Sequence, residues 1–422
     1  MPSLTRRRFL AASAAGLAAM PAYAGPPTPP RPAFRRGGAI HTMMNWAALR
    51  DDGSGRYLAR PFEAPRNAFP AAFIADFAGS GFDFVRLTLD VGPFIQLQGD
   101  DREALETKLL DNIARFHAMG LGVIADCHPV EQVAAYSPQT ILSDLDAPVF
   151  AGYTAMIGRL ARRLADVRTG RVMLELMNEP AMANASHRLQ VKVWGAAQIA
   201  LHDAARRAAP DLPILLTGAD YGGISGLTDL DPSPFRGSNV VYSFHYYMPL
   251  SFTHQGVDLG AGNTITSPYV VDLPYPYDAI SPAGIRGAIK ARIDADGKLD
   301  SSAKSAEWNR ARVIVEGFLA DAWNRHRVDA DMARVAAWAD ANGIDRHRIL
   351  MGECGVTRRD ARFTGARPAF RRRWLSDVTT LAQSRGFNWA LWEVDGKEFG
   401  IQSADDPDRL DASVVDALAM TG

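Results

Sequence analysis

Eight short apolar runs of strand length recur along the chain, and this repetition constrains the fold more than any other feature. The runs occupy residues 39–45, 82–89, 122–128, 172–178, 213–217, 240–247, 349–353 and 387–392. Segments with apolar residues at helical spacing lie between most of them, at residues 103–119, 153–165, 191–208 and 333–341. Strands that alternate with helices form parallel sheets, and eight such units predict an α/β fold, the closed (β/α)8 TIM barrel. An open doubly wound sheet is the alternative, but no glycine-rich dinucleotide turn follows the first run.

One barrel domain is predicted over residues 37–422, after a proline-rich, extended lead-in at residues 25–36. The catalytic region is longer than a typical barrel of about 250 residues, and most of the excess lies between the sixth and seventh strands. There, residues 248–281 are rich in proline, glycine and tyrosine, and residues 301–342 are predicted to be mostly helical. A long insertion at the mouth of a barrel favours a role in shaping a binding cleft.

Residues 1–24 have the pattern of a twin-arginine export signal. Paired arginines at Arg6 and Arg7 precede an apolar run, and Ala22-Tyr23-Ala24 supplies a small-x-small cleavage site. The apolar run has about half the length of a membrane-spanning helix, which disfavours a membrane anchor. We therefore expect cleavage after Ala24 and a periplasmic or secreted protein that is not bound to the membrane.

The charge balance disfavours nucleic acid as a partner, because 46 basic and 47 acidic residues leave no basic excess to neutralise phosphates. The two cysteines, Cys127 and Cys354, lie on different predicted strands, each next to a residue that we expect to face the barrel axis. Side chains alternate along a strand, so both sulfurs should face the helices. Two buried packing cysteines are thus favoured over a disulfide. Separately, we expect the protein to be a monomer.

Two glutamates each close an apolar run with the character of a buried strand. Glu179 ends the run Leu-Glu-Leu-Met-Asn-Glu, and Glu353 follows Ile-Leu-Met-Gly. A lone carboxylate on a buried strand is costly unless it is paired or hydrogen-bonded, so both residues call for a functional reason. The carboxyl ends of barrel strands form the active-site mouth, where we expect both glutamates. Asn178 and Glu179 are neighbours, so Glu179 is predicted to lie just past the last paired residue.

Alternation along the strands predicts which other side chains face the axis. Arg86 should face inward, where a pair with Asp126 or Glu175 would be ordinary core packing. If Glu353 faces inward, Ile349 and Met351 should do so too. The polar and aromatic residues expected on the axis side are Arg86, Asp126, His128, Asn178, Glu179, His245, Tyr247, Glu353 and Trp392.

The combination of these motifs resembles the glycoside hydrolases of family 5, the cellulase family, in the clan of retaining barrel glycosidases. The resemblance covers residue 37 to about residue 400. Its most specific element is Asn178-Glu179-Pro180, followed by Gly352-Glu353-Cys354-Gly355, with the other motifs in the right strand order. Those motifs are Arg86, Asp126-Cys127-His128, His245-Tyr246-Tyr247 and Trp392. Cys354 departs from the family, which often has an aromatic residue there.

The resemblance implies hydrolysis of a β-glycosidic bond with retained configuration, without a metal or organic cofactor. Glu179 would be the general acid and base, and Glu353 the nucleophile, with their carboxyls about 5 to 5.5 Å apart. Arg86 and Tyr247 would favour the ionised form of Glu353, and a less polar pocket would keep Glu179 protonated.

The resemblance also implies a set of substrate-binding residues. Asn178 would bond the sugar 2-hydroxyl, while His128 and His245 would contact the sugar or orient Glu179. Aromatic rings cover the apolar faces of sugars, so Trp392, Trp46, Tyr246 and the tyrosines of residues 269–277 are candidate platforms. Ordinary packing explains Trp46 and the tyrosines equally well, and His254 could bond substrate or backbone. The predicted substrate-binding set is Arg86, His128, Asn178, His245, Tyr247, Trp392 and Trp46.

The predicted substrate is an oligo- or polysaccharide, and a β-1,4-glucan cut internally is favoured over a β-mannan or the organism's own exopolysaccharide. Two other classes remain open. A metal-dependent barrel hydrolase would also place histidines and carboxylates at strand ends, but His41 is not part of a His-x-His motif and no His-Glu-x-x-His occurs. A sugar-binding protein without catalysis is hard to reconcile with the presence of both glutamates.

Overall fold

The computed structural model of the chain describes residues 34–167, 171–259, 265–395 and 397–418. The proposed export signal and most of the lead-in lie outside these residues. Eight parallel strands close into a barrel in sequence order, and the eighth pairs with the first. The strands are β1 (Arg36–Met44), β2 (Phe84–Leu89), β3 (Gly122–Cys127), β4 (Val172–Glu175), β5 (Ile214–Thr217), β6 (Val240–Tyr246), β7 (Ile349–Cys354) and β8 (Asn388–Leu391). The predicted (β/α)8 barrel is confirmed.

Helices surround the barrel and follow most of the strands. Those of nine or more residues are α1 (Ala71–Gly79), α2 (Gly99–Ala118), α3 (Pro148–Ala165), α4 (His187–Ala208), α5 (Pro282–Ala295), α6 (Ser301–Asp321), α7 (Arg325–Ala341) and α8 (Pro368–Ser384). Shorter α-helical segments are Val91–Gln96, Pro138–Ser143, Ala219–Gly222, Ile224–Thr228, Leu250–Thr253 and Ala412–Val415. Single 3-10 turns are Pro65–Asn67, Ala134–Tyr136, Ser233–Phe235 and Arg346–Arg348. The four helical segments predicted from periodicity correspond to parts of α2, α3, α4 and α7.

The long connection between β6 and β7 contains the predicted insertion. It holds the helices α5 and α6, which pack against each other, before α7 returns the chain to the barrel. Polar side chains start these helices, because Ser281, Asp300 and Asn324 each accept a hydrogen bond from a backbone N–H in the first turn. No helix among the described residues is long and apolar enough to cross a membrane.

An apolar layer fills the amino-terminal end of the barrel. Its eight members come from every strand except β1, whose place Phe34 takes: Phe34, Phe84, Ile124, Met173, Leu215, Val241, Leu350 and Ala390. The chain therefore enters the barrel within the predicted lead-in, since Phe34 is buried and β1 begins at Arg36. Cys127 and Cys354 lie outside this layer, as free thiols buried in the core between strands and helices, as predicted.

The strand β7 carries a bulge that changes which of its side chains face the axis. Leu350 faces inward, so the prediction that Ile349 and Met351 do so is wrong. Met351 pairs with Phe244 and Glu353 with His245, which leaves Gly352 as an extra residue on β7. A Cβ at Gly352 would collide with the Ser243 hydroxyl, so a larger residue here would require Ser243 to shift. The bulge brings Glu353 to the axis side although Leu350 also faces inward.

Candidate active site

Arg86 on β2 lies at the centre of the polar residues above the apolar layer. Its Nε and Nη2 donate to the two carboxylate oxygens of Glu175 at 2.7 and 2.9 Å, and Nη1 donates to Oε1 of Glu353 at 2.6 Å. Nη2 also donates to Oδ1 of Asn178 at 2.8 Å and lies 3.1 Å from Oδ2 of Asp126. Burial lowers the pKa of Arg86, but the three carboxylates outweigh this effect and raise that pKa well above its usual value.

A second chain of hydrogen bonds fixes the orientation of Asn178. Its Oδ1 accepts from Arg86, which has no acceptor atoms, so its amide nitrogen faces Nε2 of His128 at 3.3 Å. Nδ1 of His128 lies 2.8 Å from Oδ2 of Asp126. Burial lowers the pKa of His128 to about 4, so the ring is neutral, donates from Nδ1 to Asp126 and accepts from Asn178. Burial raises the pKa of Asp126 to about 7, against the opposite effect of Arg86.

Glu353 is almost completely buried and is held by donors on both carboxylate oxygens. Oε1 accepts from Arg86, and Oε2 accepts from the Tyr247 hydroxyl at 2.7 Å. Nδ1 of His245 lies 3.5 Å from the same Oε2. Burial and the neighbouring Glu353 raise the pKa of Tyr247 well above its usual value, so the phenol stays a donor. These hydrogen bonds to both carboxylate oxygens fix the orientation of Glu353.

Glu179 has a different environment from Glu353. It lies four residues beyond the end of β4, and its side chain is 32% exposed. Its φ of 40° is in the left-handed region, which breaks the alternation and lets Asn178 and Glu179 both face the site. Oε1 of Glu179 pairs with Nδ1 of His245 at 2.9 Å. Glu179 thus has one close donor and access to solvent, whereas Glu353 has two strong donors.

His245 on β6 lies between the two carboxylates. Burial lowers the pKa of His245, but Glu353 and Glu179 together outweigh that effect and raise it. One oxygen of each glutamate and a ring nitrogen of His245 lie within 4.8 Å of one another. Such a trio has the spacing of a metal site, although a cation there would lie close to the guanidinium of Arg86.

Aromatic rings form a wall beside these polar groups. The rings of His128 and Trp392 stack with centroids 5.5 Å apart and planes 10° apart, and His41 meets Trp392 edge to face at 4.7 Å. The indole N–H of Trp46 donates to Nε2 of His41 at 3.0 Å, and Trp46 remains 41% exposed. Burial, helped by His128, lowers the pKa of His41 to about 3, which keeps its ring neutral and able to accept from Trp46.

The structure brings every predicted site residue to one end of the barrel, but it removes other candidates. Tyr246 points away from the axis, where its ring stacks on Trp374 and its hydroxyl donates to Asp331, so it is not a sugar platform. Tyr275 is buried in the insertion, where its hydroxyl donates to Asp377. For these two rings the packing alternative therefore applies, and they are not candidate sugar platforms.

Sequence reasoning missed or undervalued several residues around the site. His41 holds Trp46, and Thr217 on β5 donates to Glu175 at 2.9 Å. Tyr221, in the segment after β5, is 56% exposed and has a φ of 59°. Partial burial of its hydroxyl and the nearby Glu179 raise the pKa of this residue. The position of His41 inside the first apolar run could have revealed its role. Tyr221 follows a break from regular structure, for which the sequence has no periodic signal.

Comparisons with known proteins identify the family of the chain. The family model described as Cellulase (glycosyl hydrolase family 5) matches residues 65–398. Endoglucanase 3 of Fibrobacter succinogenes is 31% identical over 116 residues, which are 28% of this chain and only 16% of that relative. The chain therefore spans a small part of the length of this curated relative.

Solved structures with low sequence identity show the same fold. The Clostridial cellulose synthase subunit Z from Clostridioides difficile has a TM-score of 0.61 at 20% identity, with 92% of this chain and 99% of that chain covered. A family 5 xyloglucanase from Paenibacillus pabuli has a TM-score of 0.64 at 13% identity, with 92% and 99% covered. The family match extends over most of the chain, through β2 to β8. This protein belongs to glycosyl hydrolase family 5, the cellulase family.

Proposed function

We propose that the protein is a retaining endo-β-1,4-glucanase, in which Glu179 is the general acid and base and Glu353 is the nucleophile. The observation that carries this proposal is the carboxylate spacing. An oxygen of Glu179 lies within 4.8 Å of an oxygen of Glu353. Retaining glycosidases need about 5 to 5.5 Å between the two carboxyls, whereas inverting enzymes need more room for a water molecule.

The environments of the two glutamates support different roles for them. Arg86 and Tyr247 donate to both oxygens of Glu353, which favours the anion that attacks a sugar carbon. Glu179 is partly exposed and has His245 as its close partner, so it can exchange a proton with the leaving group and then with water. Two carboxyls in different surroundings are what double displacement requires.

The proposed reaction has two steps. In the first, Glu179 donates its proton to the glycosidic oxygen while a carboxylate oxygen of Glu353 bonds to the anomeric carbon, and the C–O bond to the leaving sugar breaks. In the second, Glu179 removes a proton from water, whose oxygen displaces Glu353 from the same carbon. Two inversions restore the starting configuration, and Glu179 ends the cycle protonated.

Substrate binding is proposed to use the wall beside the carboxylates. The amide of Asn178 would meet the 2-hydroxyl of the sugar under attack, while Trp392 would cover an apolar ring face. Trp46, held by its hydrogen bond to His41, is placed to extend this surface. Tyr221 is exposed on the side of Glu179, where it could support the leaving part of the chain.

The substrate is proposed to be a β-1,4-glucan because the curated relative is named an endoglucanase, and one fold neighbour is a subunit of a cellulose synthase. A β-mannan or an exopolysaccharide made by the same organism is the runner-up. The xyloglucanase among the fold neighbours adds a branched β-glucan to the substrates that a test should include.

A panel of β-glycans, with products sized and their reducing ends counted, tests the proposal. Wild type should release oligosaccharides from a β-1,4-glucan, and proton NMR should show the β-anomer forming first. Glu353→Gln and Glu179→Gln should each lower kcat by about 10² to 10⁴-fold or more. Glu316→Gln is the matched control and should keep full activity, because Glu316 is a partly exposed residue of α6 that pairs with Arg286 of α5. The α-anomer as first product, or undiminished turnover in either active-site variant, would overturn the mechanism.

Metal-assisted hydrolysis is the second candidate, because Glu179, His245 and Glu353 have the spacing of a metal trio. The short contact of Arg86 with Glu353 opposes it, since a cation at that carboxylate would be repelled by the guanidinium. Exhaustive chelation separates the two candidates. Unchanged activity is expected, and activity that is lost on chelation and regained with one divalent metal would favour the metal mechanism.

A further inference from the structure

The segment that follows β7 is the most basic part of the sequence. Residues 358–373 contain seven arginines and a single acidic residue, Asp360. Lone surface arginines need no explanation, but several of these side chains turn inward. The proposed glycosidase chemistry uses none of them.

Four of these arginines line a cavity of about 100 Å³ between the start of α8 and the segment after β8. Two aspartates also line it, so its walls carry more positive than negative charge. The positively charged lining residues are Arg358, Arg359, Arg371 and Arg372, and the negatively charged ones are Asp360 and Asp411. This volume has room for a small oxyanion, because a water molecule occupies about 30 Å³ in the liquid.

Arg371 carries a buried charge whose hydrogen bonds, among the described residues, all go to backbone carbonyls. Its Nε donates to the carbonyl of Val356 at 3.0 Å, and Nη2 donates to the carbonyls of Phe399 and Gly400 at 2.8 and 3.0 Å. Within the described residues, neither Arg371 nor Arg372 makes an ion pair. Burial lowers the pKa of Arg371 to about 10, so it remains a cation at neutral pH. Buried cations are normally paired, which makes this one unusual.

Arg358 adds a donor that has no acceptor. Its Nη1 donates to the carbonyl of Gln402 at 2.9 Å, and its Nε lies 2.9 Å from Asp360. Nη2 is buried and has no hydrogen-bond partner among the described residues, although the residue is only 5% exposed. An unmade hydrogen bond on a buried charged group is costly, so a bound acceptor would remove that cost. Arg359 differs from Arg358, because its Nη1 forms an ion pair with Oδ1 of Asp272 at 2.5 Å.

The first turn of α8 provides a second feature that favours an anion. This helix of 17 residues begins with Pro368 and has no side-chain cap. Its amino terminus therefore has unpaired N–H groups and the positive end of the helix dipole. Pro368, Arg371 and Arg372 of the first turns line the cavity. A helix amino terminus and guanidinium groups together form a typical site for a tetrahedral oxyanion.

We propose that this cavity binds a tetrahedral oxyanion, either free phosphate or sulfate or the same group attached to a sugar. The bound ion pairs with Arg371 and Arg372 and accepts from Nη2 of Arg358. It also braces the segment after β8, because Arg371 holds the carbonyl of Phe399. The Phe399 ring packs edge to face against Tyr247, which donates to Glu353. The ion would therefore stabilise the position of Tyr247 through the segment after β8.

Calorimetric titration and thermal unfolding with sodium phosphate, against sodium chloride at equal ionic strength, test the proposal. One phosphate should bind per chain, and the unfolding temperature should rise with phosphate concentration. Arg372→Gln should raise the Kd about tenfold, because one charge-assisted bond is lost. Arg373→Gln is the matched control, since it removes the same charge from an exposed position on the same helix that does not line the cavity.

Three results would overturn the site: no binding beyond that of chloride, an equal loss in Arg372→Gln and Arg373→Gln, or unchanged affinity in Arg372→Gln. Arg358→Lys gives an independent check, because it keeps the charge and loses the forked donors. It should weaken binding while circular dichroism shows a folded protein. Glucose 6-phosphate distinguishes the sources: binding at least as tight as that of phosphate indicates a substituted sugar, and weaker binding indicates the free ion.

Discussion

Arg86 and Arg371 are both buried arginines near the mouth of the barrel, but their surroundings differ. Arg86 contacts three carboxylates, and their combined effect raises its pKa although burial lowers it. Among the described residues, Arg371 donates only to backbone carbonyls, and burial lowers its pKa to about 10. The first guanidinium binds acidic groups around a reaction centre. The second makes no ion pair with a described carboxylate, although Asp411 and Asp360 partly offset the effect of burial on its pKa. A buried arginine can therefore either pair with several carboxylates of the protein or, as proposed for Arg371, bind an external anion.

The largest expected difference between the two arginines is in stability. Arg86→Met leaves Glu175, Asp126 and Glu353 without their shared cation, and should lower the free energy of unfolding by about 3 to 5 kcal/mol. Arg371→Met loses hydrogen bonds to carbonyls but also removes an unpaired charge, and should cost about 1 to 3 kcal/mol. Urea unfolding in phosphate-free buffer measures both. Equal losses, or a larger loss for Arg371→Met, would show that the contrast in pairing has no energetic consequence.

A smaller effect is expected when Arg86 keeps its contacts and Glu353 loses its other donor. Tyr247→Phe removes the hydroxyl that donates to Oε2 of Glu353 at 2.7 Å. A hydrogen bond to a charged group contributes about 1.5 to 3 kcal/mol, so kcat should fall about 10 to 100-fold. Tyr57→Phe is the control, because its buried hydroxyl has no hydrogen-bond partner among the described residues. If both variants keep full kcat, Arg86 alone is sufficient to prepare Glu353.

The smallest effect concerns the pH dependence of stability through His245. Its pKa is raised in the folded state, so its charged form stabilises the protein below pH 6.5, and this contribution is lost as pH rises through the raised pKa. The difference in unfolding free energy between wild type and His245→Gln should therefore shrink as pH rises above 6.5.

His254 provides a control with the opposite sign. Burial lowers its pKa to about 4, so protonation below pH 6.5 favours the unfolded chain. The difference between wild type and His254→Gln should shrink as pH falls from 6.5 to 4. Urea unfolding at pH 5, 6.5 and 8.5 measures both variants, and parallel pH profiles for the two histidines would contradict the predicted signs.

Much of the fold follows from local patterns in the sequence. Eight apolar runs with helical segments between them specify the barrel, and Arg86 faces the axis as alternation on β2 predicts. Alternation fails on β7, because the bulge at Gly352 depends on how that strand pairs with β6. It also fails after β4, where the left-handed φ of Glu179 sets its direction. Strand periodicity holds only while the strand is regular, and both glutamates lie where regularity ends.

The arginine-lined cavity also separates what the sequence predicts from what depends on contacts between distant residues. The sequence displays seven arginines in residues 358–373 but does not say which are neutralised. Asp272, which lies in the insertion, pairs with Arg359. Arg371 makes no ion pair with a described carboxylate, and Asp411 and Asp360 act on it only from a longer distance. The distances between these groups depend on how the insertion and the segment after β8 pack on α8.

Residue type and spacing by themselves determined that this chain forms a barrel of eight parallel strands, with two glutamates expected at strand ends and an arginine on the axis side of β2. Those properties are local, because burial on a strand or a helix repeats with a fixed period. Only the tertiary structure decided that Glu179 and Glu353 converge on His245, that His41 supports Trp46, and that Arg371 has no ion pair with a described residue. Each of these depends on contacts between residues far apart in the chain, and no local period encodes such contacts.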